Sequence, residues 1–291
     1  MNDNQATPID QSLADELCSS LPPKRQFFTY AMNAIAFIFT TLALIPLISL
    51  LWEIISRGIG SLRPSMFVTS VIDNGFGNAI VGTLTMIAIA GAISIPIGIM
   101  TGIFLSEIGQ GTSIGRAVRF ITTILTGIPS IIVGIFAYGV IVVLTKQFSA
   151  LAGGFALAML MLPIVVLTTE EALKLVPRSL RLGSAALGGT RFQTTFGVII
   201  GAALPAITTG VLLAVARAAG ETAPLIFTAL FSLDWSRSLI TPTASLSVLI
   251  FNLYNDPAPE KTQLVWTASL VLVSMVMLIS VLSRLVTSKR K

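Results

Sequence analysis

The sequence predicts an all-α fold: a polytopic membrane protein with six transmembrane helices. Two observations carry this. Only 11% of the 291 residues are charged and 54% are hydrophobic, whereas a soluble domain carries about 25% charge. The charges are also segregated. Six uncharged runs, 26–52, 74–106, 120–145, 147–169, 192–216 and 262–283, each exceed the ~20 residues that cross a bilayer.

Residues 1–25 contain Asp3, Asp10, Asp15, Glu16, Lys24 and Arg25 and are expected to form a disordered cytoplasmic tail. They do not suit a signal peptide, because the apolar run behind them is too long for an h-region and no small-residue cleavage site follows. The membrane domain, 26–291, then holds spans at about 27–52, 78–104, 120–144, 149–169, 195–217 and 263–285, with a long inner loop at 170–194. Each of the first five spans carries one proline: Pro46, Pro96, Pro129, Pro163 and Pro205. These are either ordinary membrane-protein composition or hinges for alternating access. Gly127, Pro129 and Ser130 interrupt the third span, and Gly134 and other small residues allow close helix packing. The stretch 218–262 holds Pro224, Asp234, Trp235, Pro242, Pro257 and Pro259, and Ser238 to Asn255 is polar though uncharged. It is expected as outer or half-inserted segments, because a seventh span would place the basic C-terminus outside.

Loop charges set the orientation. With the N-terminus in the cytoplasm, 12 of the 18 Lys and Arg fall on the inner side, five on the outer side, and Arg217 lies at the end of a span. Both termini are therefore expected in the cytoplasm. Trp52, Trp235 and Trp266 fall at or beyond outer ends, where aromatic anchors belong. The net charge of +5 follows from this topology and does not call for nucleic acid.

Several chemistries are excluded. Cys18 is the single cysteine, so no intrachain disulfide forms. The chain has no histidine, which removes a His-ligated metal, a Ser-His pair and a His proton relay. None of the six lysines follows a glycine, so no Walker A loop exists, and an ATPase driving this chain would be another polypeptide. No catalytic constellation stands out.

Arg217 and Glu221 are the charges that stand where charge is expensive. They lie in Ala216-Arg217-Ala218-Ala219-Gly220-Glu221-Thr222-Ala223-Pro224, behind 25 uncharged residues. A charge at the centre of a membrane helix costs roughly 2.5–3.5 kcal/mol on insertion scales. One reading is an i,i+4 salt bridge that fastens two helices. The other is that Arg217 lines a path for an anion, with Glu221 setting its rotamer and partly neutralising it. Gly220 and Pro224 signal a helix break that would free backbone N–H groups for the anion, and Thr222 lies within it. At 1.5 Å per residue the fifth helix places Arg217 either in the outer half of the membrane or at its outer edge.

The inner loop reads as two short helices broken before Pro177. Gly188 and Gly189 form a stop, and Thr190 an N-cap for the fifth span. Such a helix, with exposed Ala and Leu, suits docking into a groove on a partner. Here the chain resembles the permeases of type I ABC importers, whose inner loop carries the EAA motif. Ala186-Leu187-Gly188-Gly189-Thr190-Arg191 fits the Ala-Leu-Gly-Ala-Thr-Arg portion, and Ser184 lies in the same stretch. Upstream the chain departs from the pattern: the motif glutamate falls on Leu182, followed by Gly183 and Ser184. Glu170 and Glu171 are the acids available to contact an ATPase in its place. Within that family the chain is similar to the PstA-type branch of phosphate importers. This is carried by Ile80-Val81-Gly82-Thr83-Leu84, by Gly127-Ile128-Pro129-Ser130-Ile131-Ile132-Val133-Gly134, and above all by the Arg217 to Pro224 block.

The resemblance implies a type I ABC importer permease fold and a non-enzymatic transport role in a bacterial inner membrane. It also implies a PstC-like permease as heterodimer partner, two PstB-like ATPase subunits, a PstS-like phosphate-binding protein, and inorganic phosphate as cargo. No cofactor would be held by this chain, since ATP and Mg would sit on the ATPase. Another oxyanion, such as sulfate, molybdate or phosphonate, is the nearest alternative cargo, and an ATP-independent secondary transporter the alternative class.

Overall fold

The structure is a computed structural model that describes residues 23–288, so most of the expected N-terminal tail, with Cys18, lies outside the described residues. Within them the chain is helical throughout, with no strand. It divides into two units, 1–53 and 54–291. The first contains the larger part of α1 (Pro23–Ser61), a 39-residue helix that runs unbroken past Pro46. None of the described residues up to Glu53 is buried.

The second unit contains α2 (Gly77–Ile108), α3 (Ser113–Gly127), α4 (Ser130–Thr145), α5 (Ala150–Lys174), α6 (Arg178–Ala186), α7 (Arg191–Ala219), α8 (Ala223–Thr228), α9 (Leu246–Leu253) and α10 (Pro259–Ser288). Five described helices, α1, α2, α5, α7 and α10, are long and apolar enough to cross a membrane. The pair α3 and α4 adds a sixth crossing if it is counted as one bent span. The polytopic all-α fold read from the charge pattern is therefore the observed one.

The third expected span, about 120–144, is not one helix. It bends by 106° between Gly127 and Ser130. The cause is Pro129, which disfavours the helical conformation of the residue before it. Ile128 is accordingly extended (φ −72°, ψ 128°), as is Pro129 (φ −57°, ψ 136°). α3 also begins earlier than the apolar run, at Ser113, where the Thr112 hydroxyl accepts from the Gly115 N–H at 3.0 Å. Arg116 and Arg119 thus lie on the helix and not in the loop before it. Pro96, Pro163 and Pro205 stay inside continuous helices, so Pro129 is the one span proline at which the described helices break.

α5 is the central helix of this unit. Ala150, Leu157, Met161 and Val165 are buried in a cluster with Met86 and Ala90 of α2, Ala214 and Ala218 of α7, and Leu225 of α8. In lipid, helix association depends on close van der Waals approach, which small residues permit. A Cβ on Gly98 of α2 would lie 2.7 Å from Val165 Cγ1, and one on Gly102 would lie 2.6 Å from Thr169 Cβ. The α2–α5 contact therefore requires glycine at both positions.

The stretch expected as outer or half-inserted segments contains two short helices. α8 has six residues and α9 eight, and neither is long enough to span. α9 is nonetheless buried: Leu246 and Leu249 join Val71, Phe76 and Leu264 in a second cluster. Ser245 caps α9 by accepting from the Val248 N–H at 3.3 Å, and the Leu246 N–H donates to Thr83 Oγ1 of α2 at 3.0 Å.

Gly98→Val is expected to cost about 1–3 kcal/mol through overpacking against Val165. Gly139→Ala, where the added Cβ would meet nothing within 4 Å, is expected to leave stability unchanged. Thermal denaturation of the detergent-purified chain compares the two directly.

Candidate functional site

α7 ends one residue before Gly220, and the geometry around that end sets the site. Two hydrogen bonds close the last turn: Gly220 N–H to the Arg217 carbonyl at 3.2 Å, and Glu221 N–H to the Ala218 carbonyl at 3.3 Å. The chain then leaves the helix and restarts as α8 at Ala223-Pro224. Proline fits the start of a helix because its missing N–H would have no partner there. Gly220, Glu221 and Thr222 thus link two helices, in the place where the sequence expects a break.

Arg217 lies in the last turn of α7 with its side chain 58% exposed, and Glu221 is 18% exposed. Arg217 Nε stands 3.7 Å from Glu221 Oε1, an ion pair beyond hydrogen-bonding distance. The guanidinium is oriented by the acid without being locked to it, and its donors stay largely available. The pair borders a crease formed by Leu160, Met161 and Ile164 of α5 with Ala214 and Ala218 of α7, so the charges rest on an apolar wall.

Two further segments hold the link. The Ser247 hydroxyl of α9 donates to the Glu221 carbonyl at 2.8 Å. Gly134 of α4 approaches α8 so closely that a Cβ there would lie 2.6 Å from Pro224 Cα. Gly134, picked from sequence as a packing residue, therefore touches the Arg217 to Pro224 block itself. Gly127 does not: a Cβ there would meet nothing within 4 Å, and its place is at the end of α3 before the bend. Pro129 and Ser130 form that bend and the first turn of α4. Ser247 was missed by sequence reasoning, because nothing local in the Ser- and Thr-rich outer segment says that it folds back onto residue 221.

At the other end of α5 and α7 lies the loop expected on the inner side. α6 has no buried residue, with Leu182 and Leu187 strongly exposed, Ala186 and Glu171 exposed, and Ser184 partly buried. Gly188 ends it in the left-handed conformation (φ 80°) that glycine adopts without steric cost. Gly189 passes close to Ser184, whose hydroxyl pairs with Thr194 Oγ1 at 2.8 Å. Thr190 opens α7 with a capping box: its hydroxyl accepts from the Gln193 N–H at 3.3 Å, and Gln193 Oε1 accepts from the Thr190 N–H at 2.9 Å.

Glu170 corrects the sequence reading. It was expected as an acid offered to an ATPase, but it is buried in this chain (side chain 3% exposed). It accepts from Arg119 of α3 and from Lys174 one turn along α5. A buried carboxylate requires paired cations, and both are supplied internally. Glu171, the neighbour, is the one that faces outward.

Residues 94–290 match the family described as "Binding-protein-dependent transport system inner membrane component". The chain belongs to this permease family. Its relatives include the phosphate transport system permease protein PstA of Yersinia pestis, 38% identical over 92% of this chain and 94% of that one. The probable PstA of Methanocaldococcus jannaschii is 37% identical over 86% and 88%, and PstA 1 of Mycobacterium tuberculosis strain H37Rv is 35% identical over 97% and 96%. Among solved structures, a chain of the inward-facing MetNI methionine ABC transporter superposes with TM-score 0.59 at 21% identity, over 73% of this permease and 94% of that chain. A chain of a bacterial ABC transporter involved in the import of alginate gives TM-score 0.60 at 17% identity, over 91% and 96%. The permease thus has the ABC importer fold.

Gly134→Val is expected to push the Pro224 backbone away and to reduce transport, with the protein still present in the membrane. Gly127→Val is expected to transport normally. Uptake normalised to membrane-inserted protein separates the two.

Proposed function

We propose that this chain is the membrane-spanning permease subunit of an ATP-driven importer of inorganic phosphate, working by alternating access together with a second permease. The single observation that carries the reading is the exposed Arg217, with Glu221 at 3.7 Å beside a helix break, in a permease whose curated relatives are named as phosphate transport permeases. The chain is a transport subunit and not an enzyme.

Phosphate at neutral pH carries between one and two negative charges. Arginine offers a planar fork of donors suited to phosphate oxygens and stays charged when desolvated. Arg217 would favour entry of the anion against the apolar wall of α5. Conduction also requires that the anion leave, so binding must stay weak. Glu221 at 3.7 Å supplies an opposing charge that returns to Arg217 as phosphate departs.

The remaining parts follow from the assembly this reading requires. The partners are a PstC-like permease, two PstB-like ATPases that carry ATP and Mg, and a PstS-like protein that delivers phosphate at the outer face of the bacterial inner membrane. Both termini are cytoplasmic. α6, which presents Leu182, Ala186 and Leu187, is the docking helix for an ATPase, with Glu171 beside it.

In cells lacking this chain, labelled phosphate uptake is expected to return with the wild type, to fail with Arg217→Ala while the complex assembles, and to return in part with Arg217→Lys. Uptake blocked by excess sulfate or molybdate would move the cargo to another oxyanion, and normal uptake by Arg217→Ala would end the pathway reading. Leu182→Glu, on an exposed face of α6, is expected to be tolerated. Loss of the ATPase on purifying that variant would show that the docking face is built around leucine.

A further inference from the structure

The inner ends of four helices are tied by charge across sequence distances that the membrane path does not require. Arg181 of α6 donates to the Glu107 carboxylate at the inner end of α2, and to the Leu173 carbonyl of α5 at 3.0 Å. Glu107 is 11% exposed and also accepts from the Ser106 hydroxyl at 3.0 Å. Arg119 of α3 donates to Glu170 of α5, which Lys174 also contacts. α6 is thereby fastened to α2 and α5, and α5 to α3.

The other end of each connection leads toward the Arg217 link. α3 passes through the 106° bend into α4, and α4 meets Pro224 at Gly134 with no room for a methyl group. α2 and α5 pack directly against each other at Gly98 and Gly102. The acids of these pairs are largely buried, with Glu107 11% and Glu170 3% exposed, while Arg181, Arg119 and Lys174 are 29%, 43% and 46% exposed; removing a cation would leave a largely buried carboxylate uncompensated. No docking or cargo role assigned so far uses Glu107, Arg119 or Arg181, and Arg119 has so far served only to pair the buried Glu170.

We propose that the Arg181–Glu107 pair and the Arg119–Glu170–Lys174 cluster are the positioning residues that carry movement of α6 to the Arg217–Glu221 link, by way of α3 and α4. None of these residues touches the anion. They act through Gly134 against Pro224. The proposal rests on the ATP-driven reading above and does not depend on which anion is carried.

The test uses the complete complex in proteoliposomes, with Cys18→Ser and spin labels at Ile132→Cys on α4 and Leu213→Cys on α7, both exposed positions. ATP trapping is expected to change the 132–213 distance in the otherwise wild-type complex. Arg119→Gln and Glu107→Gln are expected to abolish that change while ATP hydrolysis continues, with loss of most of the anion imported per ATP. The exchange of Glu107→Arg with Arg181→Glu is expected to restore both readouts. An unchanged distance response in both single variants overturns the proposal. So does loss of the ATPase from either variant on purification, which would make the pairs a scaffold for docking. So does a 132–213 distance that ignores ATP in the otherwise wild-type complex. Because the distance requires no cargo, a complex that responds to ATP but does not import phosphate would sink the phosphate reading and leave the coupling proposal standing.

Discussion

A full positive charge at the end of a membrane helix is the constraint around which the rest of this unit is arranged. Burying Arg217 alone in hydrocarbon would cost roughly 2.5–3.5 kcal/mol on insertion scales, and pairing it tightly with Glu221 would occupy its donors. The structure takes a third course. α7 stops at Ala219, the next residues leave the helix, and Glu221 comes to 3.7 Å without closing a hydrogen bond. Everything that fixes this intermediate distance then matters: the Ser247 hydroxyl on the Glu221 carbonyl, Pro224 at the head of α8, and Gly134 pressed against it.

Polar and small residues divide the labour along the axis of the molecule. In the middle, glycines bring α2 and α5 together, where hydrophobicity gives no preference between lipid and protein. At the end that carries α6 the work passes to charge, with Glu107 and Glu170 each paired with a cation from another helix. At the opposite end it passes to short helices whose caps and side-chain hydroxyls satisfy backbone that a continuous span would satisfy by itself. α6 has no buried residue of its own, and Arg181 and the Ser184–Thr194 contact tie it to the neighbouring helices.

Much of this was legible in the sequence because membranes enforce simple rules. Uncharged runs longer than a bilayer gave the helical class, and Gly220 and Pro224 announced the break beside Arg217. Thr190 and Gly188 marked the boundaries of the inner loop through capping chemistry. What was not legible depends on distant contacts. The third run looked like one span, because apolar composition does not report the direction a chain takes after Ile128-Pro129. Glu170 looked like an acid free for a partner, because one of its two cations, Arg119, lies 51 residues earlier on another helix. Ser247 and the buried face of α9 were hidden in a polar segment whose neighbours are set by tertiary folding alone.

The central claim is that Arg217 faces the aqueous path of the anion and not lipid. The direct measurement is thiol labelling of Arg217→Cys in a Cys18→Ser background, within the assembled complex, by a membrane-impermeant reagent applied from the outer side. The account predicts labelling that is fast in one nucleotide state and strongly slowed in the other, as the pathway opens and closes. Labelling by lipid-soluble reagents only, at one rate in every nucleotide state, would contradict it.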